Sequence, residues 1–418
     1  MQRFPFYLGI SLLLAPLALS VARAEPPRAP YDARQDRIEG LNKDDLGRID
    51  DLLLHGPLAL VEFADMEADQ LPAINVAVLV QAPARVLETV LVNPLDFPRF
   101  MPALDSVNII TKQAGVIVYD WSFDLAVLHL AGRNVMTVYT APADRPDAST
   151  RVTIDSENGD LGRGRFVFRI VPHGPTSSIL VLSMRLDLRE ANYVARQLAK
   201  AARSVNRSAN LALGVSMALH LEQEAERRAH TVQTVAGPTD FAKPVVHLRA
   251  LAPLLSRGDL LLFSMAADRL EQIAVVGVID EKRDTVHAAL RDARAFGSAL
   301  VPGCTAKIVS ERGGVTTFDW SINLPLLGLA GRMRMTDAEP VVTIDATAGA
   351  LRGGSWSFEL DALGKHATLV TGWAHFDFKE STWLLEKMVS ADAYLGHGIS
   401  AASEVMLVRA LRARAAER

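Results

Sequence analysis

The sequence predicts an α+β fold made of two copies of one unit, each an antiparallel run of strands followed by a long helix. Three observations predict it: an internal repeat, short segments with apolar residues at alternate positions, and a helical apolar period at the end of each copy. The chain has 418 residues, of which 49% are hydrophobic and 22% charged, a globular composition. This length is enough for two to three domains.

The repeat is clearest in two stretches, 120–137 and 319–336, which lie 199 positions apart and share 11 identical residues out of 18. Each copy is about 170–185 residues long, the size of a whole domain, so the repeat indicates a tandem duplication and not a solenoid. Gly237-Pro238 and Pro244 interrupt the polar stretch between the copies. We therefore predict a first domain at 41–228, a linker at 229–244 and a second domain at 245–418.

The first 24 residues have the pattern of a secretory signal peptide. Arg3 precedes a mostly apolar stretch from Phe6 to Val21, and Ala22-Arg23-Ala24 fits the small-x-small rule for cleavage. We expect cleavage before Glu25, a flexible leader over 25–40 and a periplasmic location; an uncleaved N-terminal anchor is the alternative. Cys304 is the only cysteine, so the chain cannot form an internal disulfide.

The elements of each copy follow in order from the apolar period. Each copy opens with a helix whose apolar face ends at a glycine. These residues are Leu46, Ile49, Leu52, Leu53 and Gly56 in the first copy and Leu248, Leu251, Leu255 and Gly258 in the second. Two β-rich runs follow at 58–63 and 74–80, and Pro83 begins a second helix.

Six further strand-like runs precede the closing helix of the first copy, at about 107–111, 116–125, 133–139, 151–156, 164–171 and 178–188. The closing helix is predicted from about 190 to 228, and its counterpart from about 380 to 414. Gly396 and Gly398 are the expected break in the second long helix, because glycine is a poor helix former.

The segment from Val78 to Pro102 reads as a strand, an Ala-Pro helix start and a Phe-Pro-x-Phe-x-Pro loop before a long strand. With the order of elements, it resembles the START-like, helix-grip superfamily (SRPBCC), which includes polyketide cyclase-like and coenzyme Q-binding-like proteins. The second copy departs from this pattern, with Lys282 and Gly297 where the first has Pro83 and Pro98. The resemblance implies an apolar cavity in each domain, between sheet and closing helix, used in that family for lipids, sterols, quinones or polyketide-like molecules and only occasionally for catalysis.

The candidate ligand-binding residues are mostly apolar side chains at alternate strand positions, which share one face of a sheet. They are Trp121, Phe123, Leu125, Val127, Phe166 and Phe168 in the first copy and Trp320, Ile322, Leu324, Leu326, Trp356 and Phe358 in the second. Such residues either line a cavity or fill an ordinary core, and the sequence leaves both open.

The run 126–132, repeated as 325–331, is an almost wholly apolar connection between two predicted strands, although loops are normally polar. We expect Leu128 and Leu130, with Leu327 and Leu329, to form a hydrophobic lip at the cavity mouth that touches a membrane transiently. The alternative is that these leucines are the buried end of a longer strand or pack under the closing helix.

Arg133 and Arg332 follow these runs directly. An arginine beside an apolar cavity can hold a carboxylate or phosphate with two hydrogen bonds, and on this basis both are candidate ligand residues. The alternative is an ion pair with Asp120 or Asp319, which also recur in the two copies.

Motifs for catalysis and metal binding are sparse. The sequence has no His-Glu-x-x-His, no Gly-x-Ser-x-Gly and no phosphate-binding loop, so we predict no metal and no cofactor. His220 and Glu224, one helical turn apart, are expected on a solvated helix face. With 44 basic and 48 acidic residues, the chain lacks the positive field that nucleic-acid binding needs.

These observations favour an exported binding protein or carrier for a hydrophobic small molecule such as a lipid. One alternative is a cyclase or dehydratase-like enzyme that uses Asp120, His129 or Arg133 as acid or base in the same cavity. Another is a structural protein of the cell envelope whose apolar loops bind a partner. The sequence leaves the ligand and the oligomeric state open.

Overall fold

Strands from both repeats form one continuous antiparallel sheet. The structure is a computed structural model that describes residues 38, 40–63, 73–125, 128–139, 149–193, 196, 203–231, 248–266, 269–294, 304–324, 327–375 and 383–418. The predicted signal peptide, nearly all of the predicted leader and most of the predicted linker lie outside these residues.

The strands agree closely with the predicted runs. The first repeat contributes β1 (Leu58–Glu62), β2 (Ile74–Val80), β3 (Leu104–Gln113), β4 (Val116–Leu125), β5 (Leu128–Tyr139), β6 (Thr150–Gly159), β7 (Arg163–Pro172) and β8 (Ser178–Asp187). The second contributes β9 (Gly258–Ala266), β10 (Arg269–Ile279), β11 (Cys304–Arg312), β12 (Val315–Leu324), β13 (Leu327–Ala338), β14 (Val341–Gly349), β15 (Ser355–Leu363) and β16 (Ala367–His375).

The helices lie between and after these strands. They are α1 (Lys43–Leu53), α2 (Ala84–Leu91), α3 (Phe97–Phe100), α4 (Arg203–Ala229), α5 (Leu248–Leu255), α6 (Arg283–Arg291), α7 (Trp383–Ala391) and α8 (Ala393–Ala416). Helix α1 begins where Asn42 and Asp45 form a capping box, each side chain accepting a hydrogen bond from the other's backbone N–H. No described helix is both long and apolar enough to cross a membrane.

The order of strands in the sheet is β11-β12-β13-β14-β15-β16-β10-β9-β1-β2-β8-β7-β6-β5-β4-β3, so the two halves mirror each other about the β9–β1 pair. At this junction the strands are antiparallel, with Leu60 opposite Leu260. The α+β helix-grip fold predicted for each repeat is confirmed, but the repeats share one sheet and do not form two separate ones.

The junction strands are buried on both faces. On the front face, α4 packs on β2 and β8 while α8 packs on β10 and β16, and the two long helices also pack on each other. A Cβ atom at Gly398 would lie 2.3 Å from Cα of Ala212, so this close helix approach requires glycine. On the back face, α1 and α5 cover a second apolar cluster that includes Leu58, Leu60 and Leu262.

The closing helix of the second repeat breaks at Asp392, and not at Gly396 or Gly398 as predicted. Asp392 has an extended backbone, and its carboxylate accepts hydrogen bonds from the backbone N–H groups of Tyr394 and Leu395. This is an N-cap, which begins a new helix, so the two glycines lie inside α8. In the first repeat the predicted helix start near 190 is a 3₁₀ turn, Leu188–Glu190.

Candidate ligand-binding cavity

A cavity of about 60 Å³ lies inside the first repeat, between the curved sheet and α4. Strands β3 to β8 and the β6–β7 turn form its wall, α4 covers it, and the segment around α3 contributes the remaining side chains. The lining residues are Phe97, Met101, Leu104, Tyr119, Trp121, Phe123, Asn134, Ile154, Ser156, Leu161, Phe166, Leu186, Leu213 and Met217.

Strand alternation explains why these side chains point inward. Along β4, Ile117, Tyr119 and Trp121 are buried, while Val118 and Asp120 between them are partly exposed. Because successive side chains of a strand point to opposite faces, every second residue of β4 faces the cavity side of the sheet.

The apolar residues of the predicted site divide into three groups. Trp121, Phe123 and Phe166 line the cavity. Leu130 and Phe168 are buried in the core around it, and in the second repeat Trp320, Trp356, Phe358, Ile322 and Leu329 are buried or partly buried in the corresponding core. Val127, Leu326 and the side chains of Leu125, Leu128, Leu324 and Leu327 lie outside the described residues.

Residues 128–132 and 327–331 lie in strands β5 and β13 and not in loops, which corrects the sequence prediction for this part of each apolar run. Leu125 pairs with Leu128 and Leu324 pairs with Leu327, while residues 126–127 and 325–326 lie outside the described residues. Leu130 is buried, so it does not form an exposed lip. For Leu130 the alternative, a buried position in a longer strand, is the correct one; membrane contact by the two apolar runs stays a prediction.

Arg133 and Arg332 lie on the outer face of the sheet and do not line the cavity, which corrects their assignment as ligand residues. Arg133 Nε donates to Asp120 Oδ1 and Arg332 Nε donates to Asp319 Oδ1, each at 2.7 Å. All four side chains are between 40% and 48% exposed. The guanidinium of Arg133 holds the pKa of Asp120 below its usual value, and Arg332 does the same for Asp319.

The acid–base candidates are also remote from the cavity. His129 is exposed, with Nδ1 3.5 Å from Asp124 Oδ1. Cys304 is buried, and burial raises the pKa of its thiol to about 11, which keeps it protonated and unreactive. Among the described residues, no group of three or more His, Cys, Asp or Glu side chains is placed to hold a metal ion.

His220 and Glu224 are buried, and not on a solvated helix face as expected. His220 Nε2 lies 3.1 Å from Asp392 Oδ1. The Glu224 carboxylate instead accepts hydrogen bonds from Arg227 and Arg228 on the same helix. The two side chains therefore have separate partners.

Sequence reasoning missed the polar residues of the cavity. Tyr119 is 3% exposed, and its hydroxyl accepts a hydrogen bond from Asn134 Nδ2 at 3.2 Å. Burial raises the pKa of Tyr119, so its hydroxyl stays neutral. The alternation that predicted Trp121 and Phe123 also includes Tyr119, two positions earlier. For the helix residues Leu213 and Met217 the sequence held no comparable signal.

No protein-family model and no curated protein sequence matches the chain. Among solved structures, it is similar to the di-domain aromatase/cyclase StfQ of the steffimycin biosynthetic pathway, with 12% identity over 82% of this chain and 98% of that chain and a TM-score of 0.28. It is also similar to the STAR-related lipid transfer protein of Xanthomonas axonopodis (14% identity, 41% of this chain, 94% of that chain, TM-score 0.33). A third similar structure is human STARD10 (12% identity, 47% of this chain, 78% of that chain, TM-score 0.32). These structures are of the lipid-transfer and aromatase/cyclase kinds that the sequence resemblance named.

Proposed function

We propose that this protein is an exported binding protein or carrier that holds a hydrophobic small molecule between the sheet and α4 of the first repeat. The observation that supports it is the cavity itself: the sheet and the covering helix both contribute apolar side chains, and unfilled space remains between them. Burying about 300 Å² of apolar ligand surface would contribute several kcal/mol before the costs of ordering.

The ligand must widen the cavity on entry. Its volume of about 60 Å³ is well below the roughly 300–1,000 Å³ of a pocket that encloses a drug-sized molecule. Two of the lining residues are Met101 and Met217, and methionine adapts its shape easily because it is unbranched and flexible. We therefore propose that the cavity expands around its ligand.

Binding is favoured over catalysis because the acid–base groups named for an enzyme lie elsewhere. Asp120 and Arg133 pair with each other on the outer face, and His129 is exposed. A general acid or base must come within hydrogen-bond reach of the reacting group, which these side chains do not do for a ligand in the cavity.

The test is ligand uptake by a protein with a blocked cavity. Wild-type protein purified without detergent should carry a co-purifying hydrophobic molecule, identified by mass spectrometry, and should enhance the fluorescence of N-phenyl-1-naphthylamine. Leu213→Trp, which fills the cavity from α4, should reduce uptake of this probe at least about ten-fold. Leu95→Trp is the matched control, because Leu95 is 53% exposed and outside the cavity.

Equal probe uptake by the two tryptophan variants would contradict the proposal and would favour the structural envelope protein.

Export is tested separately. Expressed in a Gram-negative host, the chain should be recovered from the periplasmic fraction with Glu25 as its first residue. Recovery of the full-length chain in the membrane fraction would instead support the uncleaved anchor.

A further inference from the structure

The cavity of the first repeat carries a row of three polar side chains on adjacent strands. Its members are Tyr119 on β4, Asn134 on β5 and Ser156 on β6, which we call the polar row. Tyr119 is directly opposite Asn134, and Asn134 is directly opposite Ser156. The three side chains therefore form one line across the cavity wall.

The polar row has unused hydrogen-bonding capacity. Asn134 Nδ2 donates to the Tyr119 hydroxyl and Ser156 Oγ donates to the carbonyl of Gly162. Asn134 Oδ1 is buried without a partner, and the described residues provide no acceptor for the hydroxyl proton of Tyr119. If the amide were turned over, Nδ2 would be unpaired in place of Oδ1. Buried polar atoms normally have partners, so these are unfilled positions for one.

Among the residues that the structure describes, no charged side chain lines this cavity. A carboxylate or phosphate placed there would be buried without a counterion, which is strongly unfavourable. The polar group that the row accommodates is therefore neutral.

The second repeat shows that the fold does not require the polar row. Its residues at the same pairing positions are Phe318, Met333 and Ala346. Around them the scaffold is unchanged: Asp319 and Arg332 form the same ion pair as Asp120 and Arg133, and Trp320 is buried like Trp121. In the described part of the chain, the indole N–H groups of both tryptophans have no hydrogen-bond partner. The tryptophan is therefore common to the repeats, and the polar row is what distinguishes the first.

We propose that the polar row recognises a neutral hydroxyl group, so that the ligand of the first repeat is an uncharged hydrophobic alcohol or phenol. The hydroxyl would donate to Asn134 Oδ1 and accept from the Tyr119 hydroxyl, which satisfies both unused groups. This inference rests on the proposed function, because it needs a ligand in this cavity.

The test compares three probes of one shape: naphthalene, 2-naphthol and 2-naphthoate, measured by displacement of N-phenyl-1-naphthylamine at neutral pH. Wild-type protein should bind 2-naphthol about ten-fold more tightly than naphthalene, and 2-naphthoate most weakly. The double variant Tyr119→Phe with Asn134→Met, which installs the second repeat's residues, should lose the preference for 2-naphthol and keep its affinity for naphthalene within about two-fold.

Two controls keep the outcome decisive. Val135→Met changes the residue beside Asn134 on the opposite face of β5 and should leave all three affinities unchanged. Tyr119→Phe alone, a smaller change, serves if the double variant does not fold, and it should remove part of the preference. Naphthalene binding without a preference for 2-naphthol, or a preference for 2-naphthoate, would overturn this inference alone. Failure of all three probes to bind wild-type protein would overturn the proposed function as well.

Discussion

Glu404 on α8 is a fully buried carboxyl group in the second repeat. Neither of its oxygens has a hydrogen-bond partner among the described residues. A Cβ atom at Gly372 would lie 2.9 Å from Oε2 of Glu404, so the glycine on β16 makes room for this carboxyl. Burial raises the pKa of Glu404 well above its ordinary value. The folded protein therefore keeps the proton that the unfolded chain releases.

This retained proton predicts that the free energy of unfolding falls as pH rises above the ordinary value of 4.5. Below that pH both states are protonated and the penalty is absent; above it only the unfolded state ionises. Glu404→Leu should remove this dependence and raise the free energy of unfolding near neutral pH by about 1–3 kcal/mol. Urea unfolding from about pH 5 to about pH 8 measures it.

The exposed Glu417 provides the control, since Glu417→Leu should leave the pH dependence as in the wild type. Glu404→Gln should also abolish the slope but recover less stability, because its amide remains unpaired. A wild-type protein of constant stability across this pH range would show that Glu404 is not buried in its neutral form.

At the scale of elements, Asp392 connects the beginning of α8 to the middle of α4. Its carboxylate caps α8 and also accepts a hydrogen bond from Ser216 Oγ at 2.6 Å, while His220 Nε2 lies 3.1 Å away. Burial by itself would raise the pKa of Asp392, but the hydrogen bonds from His220, Ser216 and the helix N-terminus outweigh it, and the pKa is lowered. One side chain thus begins a helix and joins the two repeats.

Asp392→Ala should lower the free energy of unfolding by about 2–4 kcal/mol, because the cap is lost and buried polar partners are left unpaired. Asp392→Asn should cost less, since an amide still caps. The depressed pKa means that this contribution is present above the ordinary carboxyl value of 3.8 and is lost as the pH falls below it. Chemical denaturation of the three proteins at neutral and acidic pH measures both effects. An alanine variant as stable as the wild type would show that the network does not stabilise the fold.

The bounds of the strands and helices show most directly how much of the fold the sequence predicts. The strands were predictable because most alternate and the others are short apolar runs; the prediction for β2, Ile74 to Val80, agrees to the residue. The break at Asp392 was missed because a glycine pattern was read as a break, whereas an aspartate with an extended backbone begins the helix. The cavity was predicted in part, because alternation identifies the inward positions on β4. The helix residues that cover these positions could not be predicted, because they depend on packing that one sequence does not reveal.

At the scale of the whole molecule, the two repeats form one structure because β1 pairs with β9. Asp259 on β9 is fully buried and accepts hydrogen bonds from Arg409 and Arg412 of α8. Arg409 also donates to the carbonyl groups of Val61 and Glu62 at the end of β1. The second repeat's helix thus binds the first repeat's strand.

Continuous apolar runs in the sequence, as distinct from alternating ones, indicate this junction. Residues 58–61 and 74–80 are nearly continuous apolar runs, and every residue in them is buried, including the polar but uncharged Asn75. Strands of this composition are covered on both faces. A strand at the edge of a single domain's sheet is not covered in this way. Which strand pairs with β1 could not be predicted, because continuous apolar runs do not specify a partner.

The shared sheet predicts that both repeats unfold together. In hydrogen exchange followed by mass spectrometry, the slowest amides of β6–β8 and of β14–β16 should report the same free energy of opening. Asp259→Ala leaves two arginines without their buried partner and should lower that free energy by about 3–5 kcal/mol in both repeats alike. Asp280→Ala, an exposed site on the second repeat, should change neither. If amide protection from exchange were lost in the second repeat alone, the β1–β9 junction would not couple the two halves. Each repeat would then be stabilised by its own helix and sheet.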